Sequence, residues 1–235
     1  MAEASSPRLT VDQLGFAWPT GHSALNHCSF TIPTPGLWML VGGNGSGKST
    51  LLRLIAGLLT PSRGRLWCPL KAALVFQNPD HQLLLPSCGS EIELALPATT
   101  PAEQRLEQVE QVEQVEQALH QVGLAGFRQR PIHSLSGGQK QRLAIAGALA
   151  SKAQLLLLDE PTALLDETSQ LDVLQLIRAL CDRPEEPITA LWITHRLEEL
   201  RWCNGAALME RGSVGPWQRG DVMERKLSPL AGGKA

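Results

Sequence analysis

The chain has 235 residues, of which 43% are hydrophobic and 19% charged, and its net charge is −2. A chain of this length buries roughly 70–75% of its extended surface without disulfides, and the composition is too apolar for disorder. The near-neutral charge excludes an overall basic field that would draw nucleic acid. The five cysteines form no CxxC pair, which fits structural thiols in a reducing compartment better than a metal cluster or disulfide framework. No apolar run approaches the roughly 20 residues that span a bilayer. The N-terminal MAEASSPRLT also lacks the charged-then-apolar order of a secretory leader. The expectation is a soluble intracellular protein.

In chain order, Arg8 to Met39 reads as short strands and turns, punctuated by Pro19, Gly21, Pro33 and Pro35, and suits a small antiparallel sheet. Leu37 to Val41 is a short apolar run that ends in glycines. After Lys48, the residues Leu51, Leu52, Leu54, Ile55, Leu58 and Leu59 recur at helical spacing, and Thr60 to Gly64 is expected to stop that helix. Residues 107–117 repeat EQV between Pro101 and Gly123. Three-residue spacing drifts around a 3.6-residue helix, so the repeat predicts a solvated helix with one weak apolar stripe rather than a coiled coil. Gly138 to Ala150 reads as a helix with a small-residue face. Leu155 to Leu158 and Ile188 to Thr194 are apolar on both alternating faces, as central parallel strands are. Strands alternating with helices predict an α/β fold with a mostly parallel core sheet. Residues 86–150 are richer in helix and predict a helical subdomain.

Two stretches carry chemistry. Gly42, Gly43, Asn44, Gly45, Ser46, Gly47, Lys48 and Ser49 fit the phosphate-loop pattern GxxxxGK(S/T), between an apolar strand and a helix. Glycines let successive backbone N–H groups face an anion, and the helix N-terminus adds its positive dipole end. Lys48 can then reach the β- and γ-phosphates, Ser49 can ligate Mg2+, and Thr50 can add an α-phosphate contact. The expected ligand is a purine nucleoside triphosphate. The second stretch ends the Leu155–Leu158 run in Asp159 and Glu160, at the strand end where α/β sheets bind ligands. Asp159 is a candidate for holding Mg2+, and Glu160 for orienting or deprotonating the attacking water. His195, after the second apolar run, leaves the sheet on the same side.

Leu135, Ser136, Gly137, Gly138 and Gln139, lying between the phosphate loop and LLLLDEPT at 155–162, resemble the signature of an ATP-binding cassette (ABC) ATPase. The resemblance runs from about Leu9 to Gly212. It implies a P-loop NTPase domain with an N-terminal antiparallel β subdomain and a helical subdomain. The whole chain, 1–235, would be one ABC ATPase domain with a short C-terminal tail from about 213. It further implies that Ser136–Gln139, opening a helix, cap the γ-phosphate bound to an opposite subunit. ATP and Mg2+ would then join two ATPase copies head to tail. Gln77 matches the Q-loop glutamine that touches Mg2+ and the attacking water. Trp18 sits where the family usually stacks a Tyr on adenine, and His195 matches the switch histidine. Leu164, in the Ala163–Asp166 D-loop, stands where Gly is usual.

Val75 to Leu83, with its NPDHQ stretch, and Ser136 to Gly147 resemble the ATPase subunits of energy-coupling factor (ECF) transporters, which take up vitamins and transition-metal ions such as cobalt and nickel. That implies a homo- or heterodimeric ATPase pair, a transmembrane coupling subunit and a separate membrane substrate-binding protein, with this chain peripheral on the cytoplasmic face. The stretch after His195 is shorter than such ATPases commonly carry, so a C-terminal dimerisation segment is expected to be reduced. The alternative is a soluble ABC ATPase acting in assembly, of the iron–sulfur type, without transport. A weaker one is a metabolite importer fed by a soluble binding protein.

Overall fold

The computed structural model describes residues 7–97 and 107–231. Pro101, the expected boundary of the EQV helix, and the last tail residues, 232–235, lie outside the described residues. Contacts divide the chain into two compact units. The first takes the chain up to Leu74, Leu155–Glu160, and everything from Ile177; the second takes Val75–Gln154 and Pro161–Leu176.

The first unit contains two sheets. Strand β1 (Leu9–Ala17) pairs antiparallel with β2 (Ser23–Ile32). Trp18 and Gly21 close the connection, the Trp18 N–H donating to the His22 carbonyl and the Gly21 N–H to the Trp18 carbonyl. Alternation along β1 buries Leu9 and Val11, and across the pair Leu25, Cys28, Phe30 and Ile32 turn to the same core. Strand β3 (Gly36–Val41) leaves that sheet and is buried along its whole length, as its continuous apolar run requires. Helix α1 (Lys48–Ile55) follows, and β4 (Arg63–Trp67) then returns to flank β1, giving the order β2-β1-β4. The antiparallel sheet is therefore completed by a strand from beyond α1.

Helix α1 stops earlier than the leucine spacing implies. Gly57 adopts φ 73°, its N–H donates to the Leu54 carbonyl, and the Leu58 N–H donates to the Arg53 carbonyl. This pair of bonds around a left-handed glycine satisfies carbonyls that the helix leaves open. Leu58 consequently points outward and is 61% exposed.

The larger sheet has six strands in the order β5-β6-β7-β3-β8-β9. They are β5 (Ala72–Val75), β6 (Leu155–Asp159), β7 (Thr189–Ile193), β8 (Gly205–Glu210) and β9 (Ser213–Val214) around β3. The β6–β7, β7–β3 and β3–β8 pairings are parallel, and β8–β9 is antiparallel. Leu155 to Leu158 and Leu191 to Ile193 are completely buried, each such side chain contributing about 1.5–3 kcal/mol relative to exposure. This is the mostly parallel α/β core that the sequence predicts.

The second unit is mainly helical. It holds α2 (Cys88–Ala95), α3 (Glu107–Gln121), α4 (Gly137–Ala150) and the opening of α5 (Glu167–Cys181), whose later turns belong to the first unit. Ser87 and Ser90 cap α2 reciprocally. Along α3 the buried stripe is Val115, Ala118, Leu119 and, just beyond it, Val122, while Glu110 and Glu113 are exposed. The EQV repeat thus has a solvated acidic side, and the helix is anchored by Val115 within the repeat together with its non-repetitive end. The chain closes with α6 (Gly220–Ala231) in the first unit. No helix among the described residues is long and apolar enough to cross a membrane. All five cysteines are free thiols. Burial pushes Cys28 and Cys203 up to about 11 and Cys181 up to about 12.

Candidate functional site

The phosphate loop begins where β3 ends and α1 starts. Gly47 caps α1 with φ 104° and no side-chain cap, a conformation that favours glycine. A Cβ there would press on the Ala24 carbonyl and the Leu25 side chain, so β2 packs directly against the loop backbone. A Cβ on Gly43 or Gly45 would meet nothing within 4 Å, which leaves one side of the loop open. Lys48 is buried to 6% exposure. Its ammonium donates to the Gly42 and Gly43 carbonyls at 2.7 and 3.0 Å. Burial pulls its pKa below the usual lysine value, and the nearby Glu160 and Asp159 carboxylates oppose that shift. The arrangement turns the loop carbonyls toward the lysine and leaves the uncapped N-terminus of α1 for an anion.

Three strand ends stand abreast beside this loop. In the parallel register Leu40 of β3 faces Ile193 of β7, which faces Asp159 of β6. Past that row the Thr194 N–H donates to the Leu40 carbonyl, and the Glu160 N–H donates to the Ile193 carbonyl, both at 3.1 Å. Asp159, Glu160 and His195 therefore emerge together at the carboxyl ends of adjacent strands, the side where open α/β sheets take ligands. The Ser49 hydroxyl donates to Asp159 Oδ1 at 3.0 Å. Burial raises the Asp159 pKa and the adjacent Glu160 adds to it, while the Ser49 bond works the other way. Glu160 adopts φ 49°, a left-handed conformation that is costly for a side-chain-bearing residue and that clusters at functional sites. Its Oε1 lies 2.6 Å from His195 Nε2.

Trp18, also in the first unit, is half-buried and packs edge-on against Phe16, with ring centroids 5.0 Å apart. Ser46 and Thr50 are buried within the loop and its helix, while Asn44 is exposed.

The remaining expected residues belong to the second unit. Gln77 is exposed in the turn after β5. Its neighbour Phe76 is pinned on both sides: the Phe76 N–H donates to Gln82 Oε1, and Gln141 Nε2 donates to the Phe76 carbonyl, each at 3.3 Å. Lys140 on α4 also pairs with Asp80 at 2.6 Å. The NPDHQ stretch is thus fastened to α4. Ser136 caps α4 reciprocally with Gln139: the Gln139 N–H donates to Ser136 Oγ at 3.3 Å, and the Ser136 N–H donates to Gln139 Oε1 at 3.0 Å. Gly137 is exposed and Gly138 buried, where a Cβ would press on Ser169. Leu164 is 62% exposed.

Sequence reasoning did not single out Thr194. Its hydroxyl oxygen accepts from the Arg196 N–H at 2.9 Å and so shapes the His195 turn. A β-branched hydroxyl residue directly before a strand-end histidine was the available signal.

The phosphate loop after β3 and the acids after β6 define a P-loop nucleoside triphosphatase. The sequence matches the ABC transporter family over residues 25–163. It is 46% identical over 190 residues to ABC transporter I family member 10 of Arabidopsis thaliana, covering 81% of this chain and 69% of that protein. It is 38% identical over 225 residues to the energy-coupling factor transporter ATP-binding protein EcfA1 of Geobacillus kaustophilus, covering 89% and 78%. Among solved structures, CbiO1 from Clostridium perfringens, part of the ABC transporter complex CbiONQ, superposes with a TM-score of 0.82. It is 29% identical and covers 97% of this chain and 98% of that one. The chain belongs to the ABC transporter family, and it is an ATP-binding, ATP-hydrolysing subunit similar to those of ECF transporters.

Proposed function

We propose that this chain powers an ECF-type uptake transporter for a vitamin or a transition-metal ion such as cobalt or nickel. It would work as one of a pair of ATPases on the cytoplasmic face of a transmembrane coupling subunit, with a separate membrane protein binding the cargo. The observation that carries the ATPase half of this reading is the row formed by Asp159, Glu160 and His195 beside the buried Lys48. The likeness to EcfA1 and CbiO1 supports the transport half.

In this reading Trp18 stacks on adenine, its large π-face replacing the usual Tyr. Residues 42–50 wrap the phosphates. Ser49 and Asp159 present a hydroxyl and a carboxylate 3.0 Å apart, hard oxygen donors that suit Mg2+, which takes one or two protein ligands and completes its shell with phosphate and water. Bound there, the ion would supply positive charge against the phosphates. Glu160 orients and deprotonates the attacking water. His195, held by Glu160 at 2.6 Å, contacts the γ-phosphate. Gln77 takes the Q-loop role at Mg2+ and water and passes opening to the membrane partner. The Ser136–Gln139 segment of a second ATPase copy completes each pocket. Positioning and charge stabilisation carry the rate, as in phosphoryl transfer generally.

The test is a tagged pull-down from detergent-solubilised native membranes and from the soluble extract, with partners identified by mass spectrometry. Recovery of a polytopic membrane protein is the expected result. Recovery of soluble proteins alone, with ATPase activity intact, would overturn the transport reading in favour of an assembly ATPase.

A further inference from the structure

Beside the ATP site lies a buried polar arrangement to which the mechanism above gives no part. Glu199 is only 5% exposed and sits in the 3-10 turn Leu197–Trp202 that follows His195. The indole N–H of Trp192, a fully buried residue of β7, donates to Glu199 Oε2 at 3.1 Å. Arg196 pairs with Glu198 at 2.7 Å, and its Nε lies 3.8 Å from Glu199 Oε1. The Glu199 carboxylate is therefore bonded to the strand that leads into His195 and lies near the residue that follows it. The turn it closes is also tied from inside, where Thr194 accepts from the Arg196 N–H and donates its own N–H to the Leu40 carbonyl.

The 3-10 turn is itself braced by α6. Gly220 sits so close to the Leu200 carbonyl that no Cβ would fit. Arg201 donates twice to Glu224, at 2.8 and 2.7 Å. Glu199 is thus presented from a turn that packs against and pairs with α6.

A buried carboxylate is costly unless it is paired, and an apolar residue packed on Trp192 would avoid that cost. What an acid adds at this position is direction. Its Oε2 fixes where the Trp192 indole stands, and so orients the end of the strand that carries His195. We propose that Glu199, through its bond to Trp192, is a positioning residue that holds the His195 ring at the γ-phosphate side of the site. The proposal rests on the reading of His195 as the γ-phosphate contact. A displacement of about 1 Å at a reacting centre costs up to about 100-fold in rate, so the arrangement has a measurable task.

The test is steady-state ATP hydrolysis by the full chain carrying Glu199→Leu, Glu199→Gln or Trp192→Phe, each made with His195 intact and with His195→Ala. Glu199→Leu is expected to lower kcat roughly tenfold while KM for ATP stays within about twofold. Glu199→Gln should restore most of the rate, because an amide oxygen still accepts from the indole. In the His195→Ala background, Glu199→Leu should cause no further loss, since residues acting through one another are not additive. A full multiplicative loss in that background, or wild-type kcat for Glu199→Leu, would overturn the proposal and leave the His195 reading standing. Wild-type turnover by His195→Ala alone would overturn the His195 reading and the proposal with it. Trp192→Phe removes the same bond from the other end, and it decides the matter if Glu199→Leu does not fold.

Discussion

Two helix N-termini in this molecule are both expected to meet the phosphates of ATP, and they are built in opposite ways. Helix α1 starts at a left-handed glycine with no side-chain cap, and Lys48 binds the loop's own carbonyls instead. Helix α4 starts at Ser136, which shares a reciprocal cap with Gln139. The first end therefore leaves its N–H groups for a ligand; the second satisfies two of its own without one. An open end fits a site that must bind nucleotide within one chain. A self-capped end fits a surface that has to be stable while it waits for a second copy. The same local rule about unsatisfied helix donors would then serve binding in one unit and, in the proposed ATPase pair, waiting in the other.

The largest expected effect tests the open end's neighbours. Glu160→Gln should lower hydrolysis about 10²–10⁴-fold with ATP still bound, checked by phosphate release beside nucleotide binding. Wild-type turnover would remove Glu160 from the role of base. Next, Lys48→Ala should weaken ATP binding about 10–100-fold, the range for lost charge-assisted contacts. Titration calorimetry that finds unchanged affinity would contradict the open-end reading.

At the capped end, Ser136→Ala should cost about 1 kcal/mol of stability, which lowers Tm by about 2–4 °C in a domain of this size. ATP affinity of the single chain should stay unchanged. A ligand-binding defect without a Tm shift would collapse the contrast between the two ends.

The smallest effect concerns Asp159. Its pKa is raised in the folded protein, chiefly by burial, so the fold prefers the protonated acid. Any stability from that preference is full at low pH and is lost as pH rises through the folded value. Asp159→Asn, whose amide oxygen can still accept from Ser49, should therefore raise Tm near pH 7 to 8, by less than Ser136→Ala lowers it. The gain should fade as pH falls through the raised folded value, where the wild-type acid itself becomes neutral. Thermal melts across pH would show a flat difference if burial of the charge were unimportant. The variant should also lose Mg2+-dependent hydrolysis, separating stability from chemistry.

The chemistry was the most legible part of the sequence, for a physical reason. A phosphate cradle needs contiguous backbone N–H groups, so Gly42–Ser49 had to be written as one stretch; the acids of a strand end are likewise written directly after Leu158. The parallel core was legible because burial on both faces leaves runs such as Leu155–Leu158. The third strand of the small sheet was not, since the pairing of β4 with β1 joins Thr10 to Trp67 and depends on the whole of α1 between them. The end of α1 was within reach: Gly57 directly after the periodic leucines is a stop signal, but Leu58 and Leu59 mimic another turn of helix. Glu199 was hidden because an acid four residues past a strand-end histidine reads as a solvated charge. Only packing against Trp192 reveals it as interior.

The buried thiols give the first unit a reporter of its own opening. Cys28, buried and pushed from 9.0 to about 11, holds about 100-fold less thiolate at neutral pH than an ordinary cysteine, and it is the thiolate that alkylates. Cys181, at about 12, holds less still. Maleimide labelling at these positions therefore reads the rate at which the core breathes, residue by residue, with no probe introduced. Slower labelling in the presence of ATP would measure how far nucleotide binding quiets the sheet that holds it.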